Sequence, residues 1–110
     1  MHDDSRITTR ELRTLEEIRA MIRTFVPELR RDFGVTSIEL FGSYVRGEQD
    51  DRSDLDVLVE FDPDRNLSLF DLVGLQLELS DWLGIRVDLV EKRSIKPALR
   101  DRILREAVLL

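Results

Sequence analysis

Apolar residues recur along this chain with two different periods, and the switches between them mark its elements. From Thr9 to Phe33, Leu12, Leu15, Ile18, Ile22, Phe25, Val26, Leu29 and Phe33 fall at three- and four-residue steps, the stripe of an amphipathic helix. Thr8 or Thr9 is suited to cap its start. Pro27 predicts a kink or a break into two helices, and Gly34 a stop. The period then drops to two. "VTSIELF" reads as a strand, and "GSYVRG" as a turn into a short helix closed by Gly47. "EQDDRS" is a polar loop. "DLDVLVEF" is a second strand, with Leu55, Val57, Val59 and Phe61 on one face and Asp54, Asp56, Leu58 and Glu60 on the other. After the turn "DPDRN", a leucine-rich run from Leu67 to Leu83 predicts a helix. Ser68 is its N-cap candidate, with Asp71 completing a capping box, and Gly84 ends it. "IRVDLVE" is a third strand, with Ile85, Val87 and Leu89 opposed to Arg86, Asp88 and Val90. From Ile95 onward, Ile95, Leu99, Ile103 and Ala107 give a last helix that tolerates Pro97 in its first turn.

This order predicts an α/β (α+β) fold: helices packed on a small mixed or antiparallel sheet of three or slightly more strands. With 110 residues the chain fits one domain. Residues 1–34 form an N-terminal helical segment and residues 35–110 the core. The leucine-rich helix is apolar on more than one face. Its surplus face predicts either burial under the last helix or contact with a partner or a second copy, so a homo-oligomer is one open reading.

Composition narrows the chemistry. There is no cysteine, and the only histidine is His2, so thiolate metal sites and histidine-based triads have no material. No run is long enough for a membrane span and the start lacks a signal-peptide core, which points to the cytoplasm. The formal net charge is −6 with acid and base interleaved, a balance unsuited to nucleic acid as the main ligand.

What remains is oxygen chemistry. Asp54 and Asp56 leave one face of the second strand, and Asp88 has the same phase on the third. Carboxylates that close repel unless a proton or cation lies between them, and an oxygen-only set suits magnesium or manganese. Strand ends facing water are the plain alternative for Asp54 and Asp56 alone. Gly42 and Ser43 lie where a strand turns into a short helix, a place that can cradle phosphate oxygens, with Arg46 one turn on.

Together, "GSYVRGEQDDRSDLDVLVEF" resembles the signature of the DNA polymerase β-like nucleotidyltransferase superfamily: Gly-Ser, ten residues, then Asp-x-Asp. More closely it is similar to the minimal nucleotidyltransferases (MNT), in which Gly-Ser-x-x-Arg-Gly precedes Ser-Asp-x-Asp. "RVDLVE" and "IKPALRDRILREAVLL" extend the likeness over roughly residues 35–110. The resemblance implies an antitoxin paired with an all-helical HEPN-domain ribonuclease toxin. It implies transfer of AMP from ATP to a toxin tyrosine. By position, Asp54 and Asp56 would hold Mg2+ (or Mn2+), with Asp88 as third ligand and general base. Gly42 and Ser43 would bind the triphosphate, with Arg46 supplying phosphate charge and Ser53 capping the loop. Larger relatives carry a further helical domain for the acceptor; here a partner surface would supply that recognition. The alternatives are an antitoxin that acts by binding alone, and a nucleotidyltransferase for a small molecule or an RNA end.

Overall fold

A computed structural model describes residues 14–110. The first helix among the described residues, α1 (Leu15–Phe33), has Thr14 as its cap. Thr14 is extended, its hydroxyl accepts the Glu17 N–H, and the Glu17 carboxylate accepts the Thr14 N–H at 2.8 Å. That reciprocal box satisfies two donors of the first turn and fixes the start. The expected caps Thr8 and Thr9, and Leu12, lie outside the described residues. Pro27 does not divide α1. It costs the helix one hydrogen bond, but Ile22 and Leu29 on either side are both buried against the sheet, and that packing holds one continuous element. Gly34 closes α1 at φ 70°, donating its N–H to Arg30 at 3.0 Å.

Four strands follow: β1 (Val35–Phe41), β2 (Leu55–Phe61), β3 (Val87–Glu91) and β4 (Val108–Leu109). Their spatial order is β3-β2-β1-β4. β1 pairs antiparallel with β2 and with β4, and β2 pairs parallel with β3. The sheet is therefore mixed, and the apolar C-terminus forms its fourth strand. Between β1 and β2 lies α2 (Ser43–Arg46), between β2 and β3 lies α3 (Leu69–Leu83), and α4 (Pro97–Glu106) leads into β4. Ser68 and Asp71 form the expected box on α3, and Pro97 occupies the first turn of α4.

The strand alternation sorts residues between two cores. Leu55, Val57 and Val59 pack with Ile18, Ile22 and Leu29 of α1 and with Leu75, Leu79 and Leu83 of α3. Leu58, one step out of phase, joins Phe41 and Ile95 in a smaller core against Ile103 and Leu104 of α4. The last helix thus covers the opposite face of the sheet from α3. The outer side of α3 stays uncovered, with Leu69, Phe70, Val73 and Leu77 exposed. Burial under the last helix is not how this sequence uses its surplus leucines.

β3 is an edge strand, and α3 covers that edge with side chains. Ser80 Oγ accepts the Val87 N–H at 3.0 Å, and Gln76 Oε1 accepts the Leu89 N–H at 2.9 Å. Two polar residues in a leucine-rich helix thus satisfy donors that the sheet leaves over. They also fix the height of β3, and with it Asp88.

Candidate active site

Five of the seven expected site residues gather at one place, where β1 ends and β2 and β3 run side by side. Parallel pairing sets Asp56 directly opposite Asp88, and antiparallel pairing sets Asp56 opposite Phe41, the residue before Gly42. Both aspartates share the sheet face with Leu58, on the side of α4. Asp56 is partly buried and Asp88 is exposed.

Gly42 stands at φ 85° and ψ −156°, a conformation that essentially only glycine holds. A Cβ at that position would also collide with Asp56 Oδ2. The glycine is thus required twice, once by the backbone and once because the Asp56 carboxylate rests against it. The Gly42 carbonyl accepts the N–H groups of Val45 and Arg46 at 3.0 and 3.1 Å, which closes the turn. Among the described residues, the N–H and hydroxyl of Ser43 take no hydrogen-bond partner. The turn therefore offers Ser43 as a donor pair toward a ligand oxygen.

Burial pushes the Asp56 carboxyl up, the charges of Asp88 and Asp54 push it further, and together they raise it to about 6 against the opposing pull of Arg46. The pull of Arg46 does not offset this crowding, because its guanidinium is itself paired with Glu48 and Glu106.

Asp54 lies just before β2, and its Oδ1 accepts from Arg86 Nε at 2.8 Å. The pair is exposed, with the Arg86 side chain 74% and the Asp54 side chain 43% accessible. Among the described residues, no three of His, Cys, Asp or Glu form a ready-made metal cage. The chain delivers an Asp56–Asp88 pair, with Asp54 beside it on an arginine. An exposed ion pair is worth at most about 1 kcal/mol, so a divalent ion could compete for Asp54 at small cost. An all-carboxylate set on adjacent strands, with Asp56 raised by burial and by the charges of Asp88 and Asp54, fits a hard divalent cation.

Ser53 belongs to the loop. Its Oγ accepts the Asp50 N–H at 2.9 Å and lies 3.3 Å from Asp50 Oδ1, while Asp50 also accepts the Arg52 N–H. These bonds shape the approach to Asp54.

One residue of the site had no signal in the sequence. Glu106, the last residue of α4, accepts the Gly42 N–H at 2.7 Å and the Arg46 Nη1 at 2.7 Å. Burial pushes its carboxyl up, but the hydrogen bonds from Arg46 and the Gly42 N–H outweigh that and hold it below the ordinary range. Arg46 also donates Nε to Glu48 at 2.8 Å, and these two carboxylates raise its affinity for its proton. The Gly42 N–H, expected to face a phosphate, is committed to Glu106. No spacing links Glu106 to positions 42 and 46; the pairing of β4 with β1 brings it to them.

Comparison with known proteins bears on this arrangement. A family model described as "Nucleotidyltransferase domain" matches residues 22–110. The protein adenylyltransferase MntA of Thermococcus cleftensis is 46% identical over 95 residues, covering 86% of this chain and 94% of its own length. A candidate minimal nucleotidyltransferase of known structure superposes with a TM-score of 0.72 at 43% identity, covering 89% of this chain and 97% of that one. A toxin–antitoxin crystal structure with AMP-PNP contains a chain of TM-score 0.64 at 30% identity, covering 78% of this chain and 69% of that one.

Proposed function

This chain belongs to the nucleotidyltransferase domain family, and from that premise we propose that it is an antitoxin that transfers AMP from ATP to a hydroxyl of its toxin. The single observation that carries the reading is the register of β2 and β3, which sets Asp56 opposite Asp88 beside a turn that only glycine can make. The naming of the Thermococcus relative as a protein adenylyltransferase supports the reaction class. The AMP-PNP bound in a similar toxin–antitoxin structure supports ATP as donor and a toxin as partner. An all-helical HEPN-domain toxin with a tyrosine acceptor is the partner the sequence resemblance implies. No helix among the described residues is long and apolar enough to cross a membrane, and we take the cytoplasm as the site of action.

In this reading Ser43 donates its N–H and hydroxyl to oxygens of the triphosphate, and Arg46 offers its remaining N–H groups to another. Asp56 and Asp88, with Asp54 released from Arg86, would hold the divalent ion. Bound there, Mg2+ supplies charge neutralisation for the phosphate oxygens and the leaving pyrophosphate. Asp88 is the most exposed of the three and is open to an incoming acceptor, so it takes the proton of the acceptor hydroxyl. The hydroxyl oxygen then attacks the α-phosphorus, the bond to the bridging oxygen breaks, and pyrophosphate leaves with the bonding pair.

The test is transfer of labelled AMP from ATP to the purified partner. The parent chain should label the toxin in Mg2+, and Asp54→Ala and Asp56→Ala should not. Equal labelling by the Asp56→Ala protein would refute the assignment.

A second reading rests on the exposed Leu69, Phe70, Val73 and Leu77 of α3. That face lies on the other side of the sheet from the carboxylates, and could hold a partner without chemistry. It predicts that the aspartate variants neutralise the toxin as well as the parent does.

A further inference from the structure

Glu106 does work that the family signature does not contain. Three facts define its place. Its carboxylate accepts the Gly42 N–H and the Arg46 Nη1, each at 2.7 Å, so one side chain ties both ends of the turn. Its side chain is 19% accessible, and that of Arg46 39%, so the pair is partly withdrawn from water. Its backbone is also fixed by the sheet. β4 pairs with β1 at Leu40–Val108, two residues before Gly42 and two residues after Glu106. The Glu106 side chain thus takes over the ladder where the backbone of β4 has turned away into α4. Further bonds pin the tail, from Arg19 Nη2 to the Leu109 carbonyl at 3.0 Å and from the Leu110 N–H to the Ile38 carbonyl at 3.2 Å.

A carboxylate in this position could act in one of two ways. It could compete with the triphosphate for the turn, or it could hold the turn in shape for it. The Gly42 N–H is a buried donor that needs a partner, and its turn is the surface against which Asp56 rests. Arg46 spends Nη1 on Glu106 and Nε on Glu48. A guanidinium has five N–H donors, and the others stay available for a ligand in an orientation those two bonds define. Ser43 keeps its own donors. All of this favours support over competition.

We propose that Glu106 is a positioning residue of the nucleotide site, holding Gly42 and Arg46 so that Ser43 and the outward N–H groups of Arg46 meet the triphosphate. The C-terminal helix and β4 are then part of the nucleotide-binding machinery. This inference rests on the nucleotidyltransferase reading given above.

The test compares Glu106→Ala and Glu106→Gln with the parent chain. AMP-PNP binding in Mg2+ is followed by calorimetry, and AMP transfer to the partner is resolved into kcat and KM for ATP. Loss of a charge-assisted contact predicts that Glu106→Ala binds AMP-PNP about tenfold more weakly and raises KM by a similar factor, with a smaller change in kcat. Glu106→Gln keeps an oxygen for the Gly42 N–H but loses the charge facing Arg46, and should fall between. A purely structural lesion would instead lower apparent kcat through a smaller folded fraction and leave KM unchanged. Thermal melts of each protein separate these cases. Unchanged or tighter AMP-PNP binding by folded Glu106→Ala overturns the proposal, the tighter result making Glu106 a competitor. If the alanine variant does not fold, Glu106→Gln decides: weaker binding supports the proposal and equal binding overturns it. A parent chain that binds no AMP-PNP sinks the nucleotidyltransferase reading itself, and this inference with it.

Discussion

The two faces of β2 are built from alternate residues of one seven-residue strand, yet they obey different rules. Leu55, Val57 and Val59 are buried between α1 and α3, in a core that holds no buried charged residue among the described residues. On the reverse face Leu58 is equally buried, but Asp56 beside it is held near the sheet with its carboxyl raised to about 6. The first face is optimised for burial. The second accepts crowded negative charge that does nothing for the fold. A site of this kind is expected to trade stability for chemistry, and the contrast can be tested.

The largest effect should come from Asp56→Asn. Removing the proposed ligand and its charge from the centre of the site should lower AMP transfer about a thousandfold, measured as labelled toxin per unit time. The folded chain should be no less stable for it. On the apolar face the pattern inverts. Leu75→Ala empties part of the core where Leu75 is fully buried, and should cost about 3 kcal/mol in a denaturant titration. The kcat/KM of the folded fraction should stay near that of the parent.

The pH dependence sharpens the same comparison. Asp56 titrates near 6 in the folded chain against an ordinary value of 3.8, so the folded state keeps a proton that the unfolded state has released. Stability from this group therefore falls as pH rises from 3.8 to about 6, and the loss is complete above that window. Without metal, Asp56→Asn should melt higher than the parent at pH 7, by a few degrees on the scale of about 1 kcal/mol. The advantage should shrink through pH 6 and vanish near pH 4. A constant difference across that range would mean that Asp56 carries no raised carboxyl. The smallest effect is expected from Arg86→Ala, which frees Asp54 from an exposed ion pair. Mg2+ affinity, followed by calorimetry, should rise by no more than a few-fold, because such pairs contribute at most about 1 kcal/mol.

Which parts of this molecule can be read from its sequence follows from the range of the forces involved. Period-two runs and glycine stops place β1 and α2 to the residue and β2 to within one, its start moving from Asp54 to Leu55, because strand alternation and turn chemistry act locally. The Ser68–Asp71 box is equally local. Asp56 and Asp88 could be put in phase from the pattern, and parallel pairing set them opposite each other. The start of α1 is set at Leu15 by a capping box at Thr14. Pro27 was absorbed because Ile22 and Leu29 are anchored on the sheet. Asp54 turned to Arg86, a partner 32 residues away, and Glu106 reached Gly42 across 64 residues. Contacts of that range depend on strand order, which no local pattern encodes.

The central claim is that the Asp56–Asp88 face is a working transfer site. Intact-mass spectrometry of the partner toxin, co-expressed with the parent chain or with the Asp54→Ala, Asp56→Ala double variant, tests it most directly. The account predicts a toxin carrying the mass of AMP with the parent and an unmodified toxin with the variant. An unmodified toxin in both cases, with the cells protected in both, would contradict it and leave α3 and its exposed apolar face as the neutralising surface.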